Sequence, residues 1–309
     1  MGCSNCLFPN RDLLIQGVNI SKKRVLISGA SGLCGLHLVN YLDPKKNFEV
    51  FTTSRSILDR RNHIQHDLRK PVTTDIFPKK IDCIVHCAAR VDEQDTSFDV
   101  INQNLKTTFN LLKYAGACSA NSFINLSSIA VYGRPKPTGI ISETHEFKPI
   151  TNYGVSKVLV ERACEALLPH STKRVNLRLG YVLGPTKSKA RIFQKFTEQM
   201  SMNEPIELIN PDQTVFNVID IEDFSRVVEI FLRNNVSGDF NLVSGHYPTV
   251  RDIFNVVKEH HPSYKVMTKI TYQPSSVDCT KYSNDKLKIE LNIRSFISYQ
   301  KSLNKILSE

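Results

Sequence analysis

A short β-branched run, Arg24-Val-Leu-Ile-Ser28, leads straight into Gly29-Ala-Ser-Gly32-Leu-Cys-Gly35, and a helical pattern continues over residues 33–42. This junction is the strongest constraint in the chain. Three glycines at that spacing let the backbone turn tightly and leave the first helical amides open to an anion lying close by. A glycine pattern alone is weak, so its surroundings matter. Residues 48–53 and 81–86 read as further strands, 97–117 as a helix, 122–127 as a strand, 152–168 as a helix and 174–179 as a strand. Such alternation predicts a parallel sheet covered on both faces, a doubly wound α/β fold of Rossmann type.

From about residue 184 the alternation loosens. A helix is predicted over 190–202, strands over 215–220 and 239–243, and a helix over 249–260. The expected organisation is therefore an N-terminal extension (1–21), a Rossmann domain (22–183) and a smaller C-terminal substrate-binding region (184–309). Segments near 215–245 are expected to return to the Rossmann domain. With 309 residues, 41% of them hydrophobic, the chain can bury a sizeable core. No apolar run reaches the roughly 20 residues that span a bilayer. The start lacks the basic and apolar regions of a secretory leader, so a cytoplasmic protein is expected. The eight cysteines are scattered and read as reduced thiols; Cys3-x-x-Cys6 is a lone pair, so no metal is expected. The net charge of +10 is spread along the chain. It fits a solvated basic surface or the steering of an anionic substrate, and nucleic acid is not expected as a main ligand.

Ligands of open α/β sheets bind beyond the carboxyl ends of the strands. The second strand ends in Thr52-Thr53-Ser54-Arg55-Ser56, with no acid to bond a ribose hydroxyl. Arg55 and the neighbouring hydroxyls, Ser54 among them, suit an extra phosphate, so NADP is preferred to NAD. Asp67, in His66-Asp67-Leu68, reads equally as an acceptor for an adenine amino group or as a helix cap. Tyr153-Gly-Val-Ser-Lys157 puts a phenol and an ammonium on one helix face. There the ammonium is expected to draw a phenol pKa of about 10 downward, making Tyr153 a proton donor and acceptor beside a hydride transfer. Ser127-Ser128 ends a strand roughly 25 residues earlier, and a hydroxyl there can fix the reacting oxygen.

Taken together the motifs resemble the extended short-chain dehydrogenase/reductase superfamily, in its nucleotide-sugar epimerase/dehydratase branch, over about residues 22–260. The resemblance is carried by Gly29-x-x-Gly32-x-x-Gly35, Asp67-Leu68, His86-Cys-Ala-Ala89, Asn104, Ser127-Ser-Ile-Ala-Val-Tyr-Gly133, Tyr153-x-x-x-Lys157 and Arg178-Leu-Gly-Tyr-Val-Leu-Gly-Pro185. Asn217-Val-Ile-Asp220 and Phe240-Asn-Leu-Val-Ser-Gly245 are similar to two later family motifs. It implies a catalytic set of Ser128, Tyr153 and Lys157. It places Ser31, Leu33, Leu68, Ala88, Ala89, Ser127 and Tyr181 along the cofactor with the glycines, and has Asn104 support the site through its helix. It also implies a homodimer through the helices over 97–117 and 152–168.

The residues after Ser128 narrow the reaction. Family 4,6-dehydratases carry an Asp-Glu pair just ahead of the Val-Tyr-Gly motif, and the epimerase-reductases of the GDP-fucose synthase type carry a Cys; this chain has Ile129 and Ala130. The leading expectation is an NADPH-dependent 4-keto-sugar-nucleotide reductase. The alternatives are an NAD-dependent 4-epimerase resembling UDP-galactose 4-epimerase, a reductase of non-sugar ketones, and a catalytically idle binding or RNA-associated member of the superfamily. Many relatives grip the substrate diphosphate with an Arg shortly before the Asp220 motif, where Gln213 or a neighbour stands here. Arg191, on the helix predicted after Pro185, reads equally as a replacement cation or as a solvated helix Arg, and Arg90, Ser128, Arg191 and Gln213 are the candidate substrate contacts.

Overall fold

The computed structural model describes residues 22–134, 139–185, 191–274 and 277–308. The expected extension over 1–21, with Cys3 and Cys6, lies outside the described residues, as does the first predicted residue of the helix over 190–202. The first half runs β1 (Lys23–Ser28), α1 (Leu33–Leu42), β2 (Phe48–Ser54), β3 (His63–Gln65), β4 (Cys83–His86), α2 (Asp99–Ala117), β5 (Ser122–Ser128), a 3-10 turn η1 (Ile129–Tyr132), β6 (Ile140–Ile141), α3 (Asn152–Leu167) and β7 (Lys173–Leu179). The second half runs β8 (Tyr181–Leu183), α4 (Ile192–Ser201), β9 (Ile206–Ile209), β10 (Val218–Asp220), α5 (Ile221–Arg233), β11 (Gly238–Leu242), α6 (Val250–Glu259), β12 (Thr268–Thr271), β13 (Lys281–Tyr282), α7 (Asp285–Leu291) and α8 (Tyr299–Ser308).

Seven parallel strands form the main sheet, in the order β11-β7-β5-β4-β1-β2-β3. The chain winds outward from β1 in both directions. That leaves a crevice at the carboxyl ends of β1 and β4, where α/β sheets bind ligands. One face is covered by α1 and α5, which bring Leu38, Val39, Phe224, Val228 and Phe231 onto the sheet. The other is covered by α2 and α3, which bring Leu111, Leu112, Ala115, Val160 and Cys164. Each such large aliphatic or aromatic burial contributes about 1.5–3 kcal/mol. A third core joins α4, α6 and α8 around Phe193, Phe196, Phe254 and Leu303. Among the described residues no helix is long and apolar enough to cross a membrane.

The departure from the main sheet is set at Gly180. A Cβ there would lie 2.1 Å from the Asn217 carbonyl oxygen. Only glycine lets the chain leave β7 and pass so close to a neighbouring backbone, where the Tyr181 amide donates to that same carbonyl at 2.7 Å. β8 then pairs with β10 in a small sheet of its own, while β11 returns to pair with β7. Of the strand predicted over 215–220, only Val218–Asp220 forms; Val215 makes an isolated antiparallel bridge to Thr249. The Thr249 hydroxyl and the Asp252 carboxylate close a capping box that starts α6 at Val250. The six described cysteines are all free.

Candidate active site

The glycine turn separates glycines the fold needs from one it does not. Gly29 has φ +68°, and a Cβ on it would lie 2.7 Å from the Ala88 amide nitrogen. A Cβ on Gly35 would lie 2.2 Å from the Gly29 carbonyl oxygen. These two are demanded by backbone packing between β1, α1 and the loop after β4. Gly32 differs: its φ is −83°, and the nearest atom to an added Cβ is the Gly29 carbonyl oxygen at 3.4 Å. Gly32 is the N-cap of α1, exposed, with no side-chain cap. Its smoothness leaves the helix amides accessible, which fits the close approach of a pyrophosphate. Ser31 is exposed beside it, and Leu33 is half-buried against the α1 core. Ala88 and Ala89 form the half-buried wall opposite, and the Ala88 amide donates to Ser28 Oγ at 3.3 Å.

At the end of β2 the Ser54 hydroxyl turns inward and donates to the Ser56 carbonyl at 2.8 Å, so it is committed to the turn. Arg55 and Ser56 are exposed. Asp67 is neither orphaned nor a helix cap. Arg69 donates to it from Nε at 3.0 Å and from Nη2 at 2.6 Å. That pairing holds its carboxyl down at about 2, and the charge of Arg55 adds to it. Leu68 packs in the core with Phe77 and Ile81.

Thr151 caps α3 by accepting from the Gly154 amide at 3.0 Å, and this sets Tyr153 and Lys157 on its inner face. Ser128, Tyr153 and Lys157 are all buried at the end of β5 and the start of α3. Burial pushes the Tyr153 phenol well above its ordinary value; the bond with the Ser128 hydroxyl pulls it down, and the charges of Glu93 and Cys34 push it up. The Lys157 ammonium donates to the Leu126 carbonyl at 2.6 Å and stands 5.6 Å from the centre of the Tyr153 ring. Burial pushes Lys157 down to about 8. The expected drawing-down of Tyr153 by Lys157 is not found: desolvation is the largest influence on the phenol and acts the other way. Burial thus favours the protonated form of the Tyr153 phenol, which lies near the Ser128 hydroxyl.

Three of the candidate site residues make internal side-chain bonds. Asn104 accepts from the Arg90 amide at 2.7 Å and donates to the Arg90 carbonyl at 3.1 Å and to Ser156 Oγ at 2.9 Å. Its amide ties the loop after β4 to α3. The Ser127 hydroxyl donates to the Glu161 carboxylate. Arg90 donates to Asp95 at 2.5 Å. Tyr181 is held by the Ile192 amide, which donates to its Oη at 3.3 Å, and by the Arg191 guanidinium 4.9 Å from its ring centre. Arg191 also donates to the Val182 carbonyl. Gln213 is exposed in the turn after β9, its amide donating to the Asn210 carbonyl at 3.1 Å.

Sequence reasoning missed the role of His86. Thr108 Oγ1 donates to the Asn104 carbonyl at 2.8 Å, so it accepts from His86 Nε2 at 3.0 Å. His86 Nδ1 then accepts from Ser28 Oγ at 2.8 Å. Burial, aided by the Lys157 charge, pushes the imidazole down to about 3. It is a neutral strut between β1, β4 and α2. It also missed the buried partners Glu161 and Arg178, although Glu161 lies four residues beyond Lys157 and hence on the same helix face.

The sequence profile of the NAD dependent epimerase/dehydratase family matches residues 25–243, more than half of the chain. The chain belongs to this family. A UDP-glucose 4-epimerase of Vibrio cholerae is 28% identical over 173 residues, an alignment that spans 53% of this chain and 53% of that one. A dTDP-4-dehydro-6-deoxy-D-allose reductase of Streptomyces bikiniensis is 22% identical, with 76% of this chain and 80% of the relative aligned. Among solved structures, a UDP-glucose 4-epimerase of Thermotoga maritima with UDP-glucose superposes with a TM-score of 0.82 at 19% identity, covering 92% of this chain and 97% of that one. A UDP-glucose 4-epimerase of Thermus thermophilus in complex with NAD gives a TM-score of 0.75 at 20% identity, covering 92% and 98%. The family and its relatives are NAD-dependent sugar-nucleotide epimerases, dehydratases and reductases.

Two expectations follow from this geometry. Gly32→Ala should leave stability within about 0.5 kcal/mol of wild type, yet weaken dinucleotide binding at least tenfold. Gly35→Ala should cost about 1–3 kcal/mol or more through overpacking. Denaturant titration and cofactor fluorescence check both, and equal destabilisation by the two would refute the distinction. For the free enzyme, kcat/KM in the proton-donating direction should be flat near neutrality and fall as pH rises through about 8, where Lys157 loses its proton. Lys157→Arg, which keeps its charge, should remove that fall.

Proposed function

We propose that this chain is an NADPH-dependent reductase of a 4-keto sugar nucleotide. In this reading Ser128 holds the carbonyl oxygen and Tyr153 delivers a proton to it. The observation that carries it is the burial of Tyr153 at the start of α3, near Ser128 at the end of β5, where desolvation favours the protonated phenol. Ile129 and Ala130 follow directly, so these two positions offer no acid or base for an elimination or a neighbouring epimerisation. Bound NADPH supplies the hydride. Lys157 keeps a positive charge beside the developing alkoxide, in a buried site where a charge acts strongly. His86, Asn104 and Ser156 keep the β4 loop and α3 in fixed relation around it.

The NADP preference rests on Arg55, exposed at the end of β2 with no acid beside it. The substrate diphosphate is assigned to Arg191, which lies where its charge reaches Cys34 at the start of α1 and also Tyr181. Gln213 is assigned to the outer rim of the same region. A homodimer through the outer faces of α2 and α3 accounts for Phe109 and Leu159, which are 38% and 40% exposed there. Cytoplasmic placement fits the supply of NADPH and of nucleotide sugars.

A 4-epimerase is the second reading. It is favoured by a solved neighbour of this fold, a UDP-glucose 4-epimerase in complex with NAD. The cofactor that co-purifies decides between them. The reductase should purify without nucleotide and consume NADPH with dTDP-4-keto-6-deoxyglucose. Tightly held NAD, with interconversion of UDP-glucose and UDP-galactose, would replace this reading with the second. Arg55→Ala should raise the Kd for NADPH about tenfold and leave NADH nearly unchanged; equal weakening would remove the NADP assignment. Phe109→Glu with Leu159→Glu should halve the mass measured by light scattering, and an unchanged mass would refute the dimer.

A further inference from the structure

We infer that the buried Arg178–Glu161 pair is a positioning device for the reaction, holding Ser128 on β5 in register with Tyr153 and Lys157 on α3. This rests on the reading of those three residues as the catalytic set. They come from two elements, and roughly 25 residues of chain separate Ser128 from Tyr153. Something other than chain connectivity must fix their spacing.

The fastening lies directly behind the site. Glu161 is one helical turn beyond Lys157 on α3, and Ser127 immediately precedes Ser128 on β5. The Ser127 hydroxyl donates to Glu161 Oε1, so a single carboxylate joins the two elements. Arg178, on β7, then fixes that carboxylate. It donates from Nε to Oε1 at 3.0 Å and from Nη2 to Oε2 at 2.8 Å. Its remaining donors are also used: Nη2 reaches Asp239 on β11 at 3.2 Å, and Nη1 reaches the Tyr132 hydroxyl at 2.7 Å and the Glu143 carbonyl at 2.9 Å. Tyr132 in turn donates to Asn241 at 2.8 Å. Ser128 is therefore held on both sides, through Ser127 before it and through Tyr132 at the end of η1 after it.

Stability alone does not call for such an arrangement. Two buried charges pay heavily in desolvation, and a well-packed apolar pair of similar volume is often as stable. Arg178 and Glu161 are only 2% and 3% exposed. What the pair supplies that apolar side chains do not is direction, since a forked guanidinium accepts one carboxylate geometry. The pair also stands apart from the reactants. A cavity of about 540 Å³ has Glu161, Arg178 and Asp239 in its wall, and none of Ser128, Tyr153 or Lys157. Glu161 acts on Lys157 across the helix turn, its charge favouring the ammonium.

The test uses full-length Ser127→Ala and Glu161→Gln with the wild type and Tyr153→Phe. Activity is read with NADPH plus dTDP-4-keto-6-deoxyglucose and with UDP-glucose, and the Lys157 titration by NMR on lysine-labelled protein without substrate. Ser127→Ala keeps the ion pair and should lower kcat about tenfold with KM and cofactor Kd nearly unchanged, as expected for a small misplacement of reacting groups. Glu161→Gln should lower kcat further and move the Lys157 titration to lower pH. A loss of thermal stability alone, with kcat within twofold and the Lys157 titration unmoved, overturns the inference. Should Glu161→Gln fail to fold, Ser127→Ala decides by kcat. Should neither substrate turn over, the Lys157 titration decides. Full activity in Tyr153→Phe would instead overturn the catalytic reading on which the inference stands.

Discussion

The approach of the Gly29 carbonyl to Gly35 is the contact on which this molecule's nucleotide half depends. With no side chain at either position, β1 and α1 meet backbone to backbone, and Gly29 backs onto Ala88 in the loop after β4. That contact aims the start of α1 at the carboxyl end of the sheet, between the two directions in which the strands wind. The placement of every later site residue follows. Ala88 and Ala89 stand opposite the turn because β4 is the neighbour of β1, and Ser128 lies one strand further because β5 is the neighbour of β4.

The site's electrostatics are governed by burial. Tyr153, Lys157 and His86 are each pushed toward the neutral form by desolvation, ahead of any partner. The outcome differs with the group. Burial brings His86 down to about 3, raises the Tyr153 phenol so that its protonated form is favoured, and brings Lys157 down to about 8. The polar groups around them are spent on one another, in the Asn104 latch and the Arg178 hub. Few are left for water, which is how a buried polar network specifies one geometry.

Much of the fold was legible because the signals are local. The strand at 24–28, the glycine turn, α1 and the helix carrying Tyr153 and Lys157 are each written in a continuous stretch. The second half was read less fully. The strand predicted over 215–220 shrinks to Val218–Asp220, because its pairing partner is the short β8 and not the main sheet. α5 was not anticipated, though Ile221, Phe224, Val228 and Phe231 recur on one face. The paired strands β9 and β12 are too short, and too far apart in sequence, to declare themselves.

The sequence by itself determined the fold class and the glycine turn at the head of α1, since each depends on local patterns, and it put forward Ser128, Tyr153 and Lys157 as candidates. Tertiary structure decided what those groups are. It buried Tyr153, which favours its protonated form, turned Ser127 and Asn104 inward, and placed Arg191 on Tyr181. The physical reason is that desolvation and hydrogen-bond partners come from residues distant in the chain. Ser127 and Glu161, or Asn104 and Ser156, meet only when the sheet and its helices have closed.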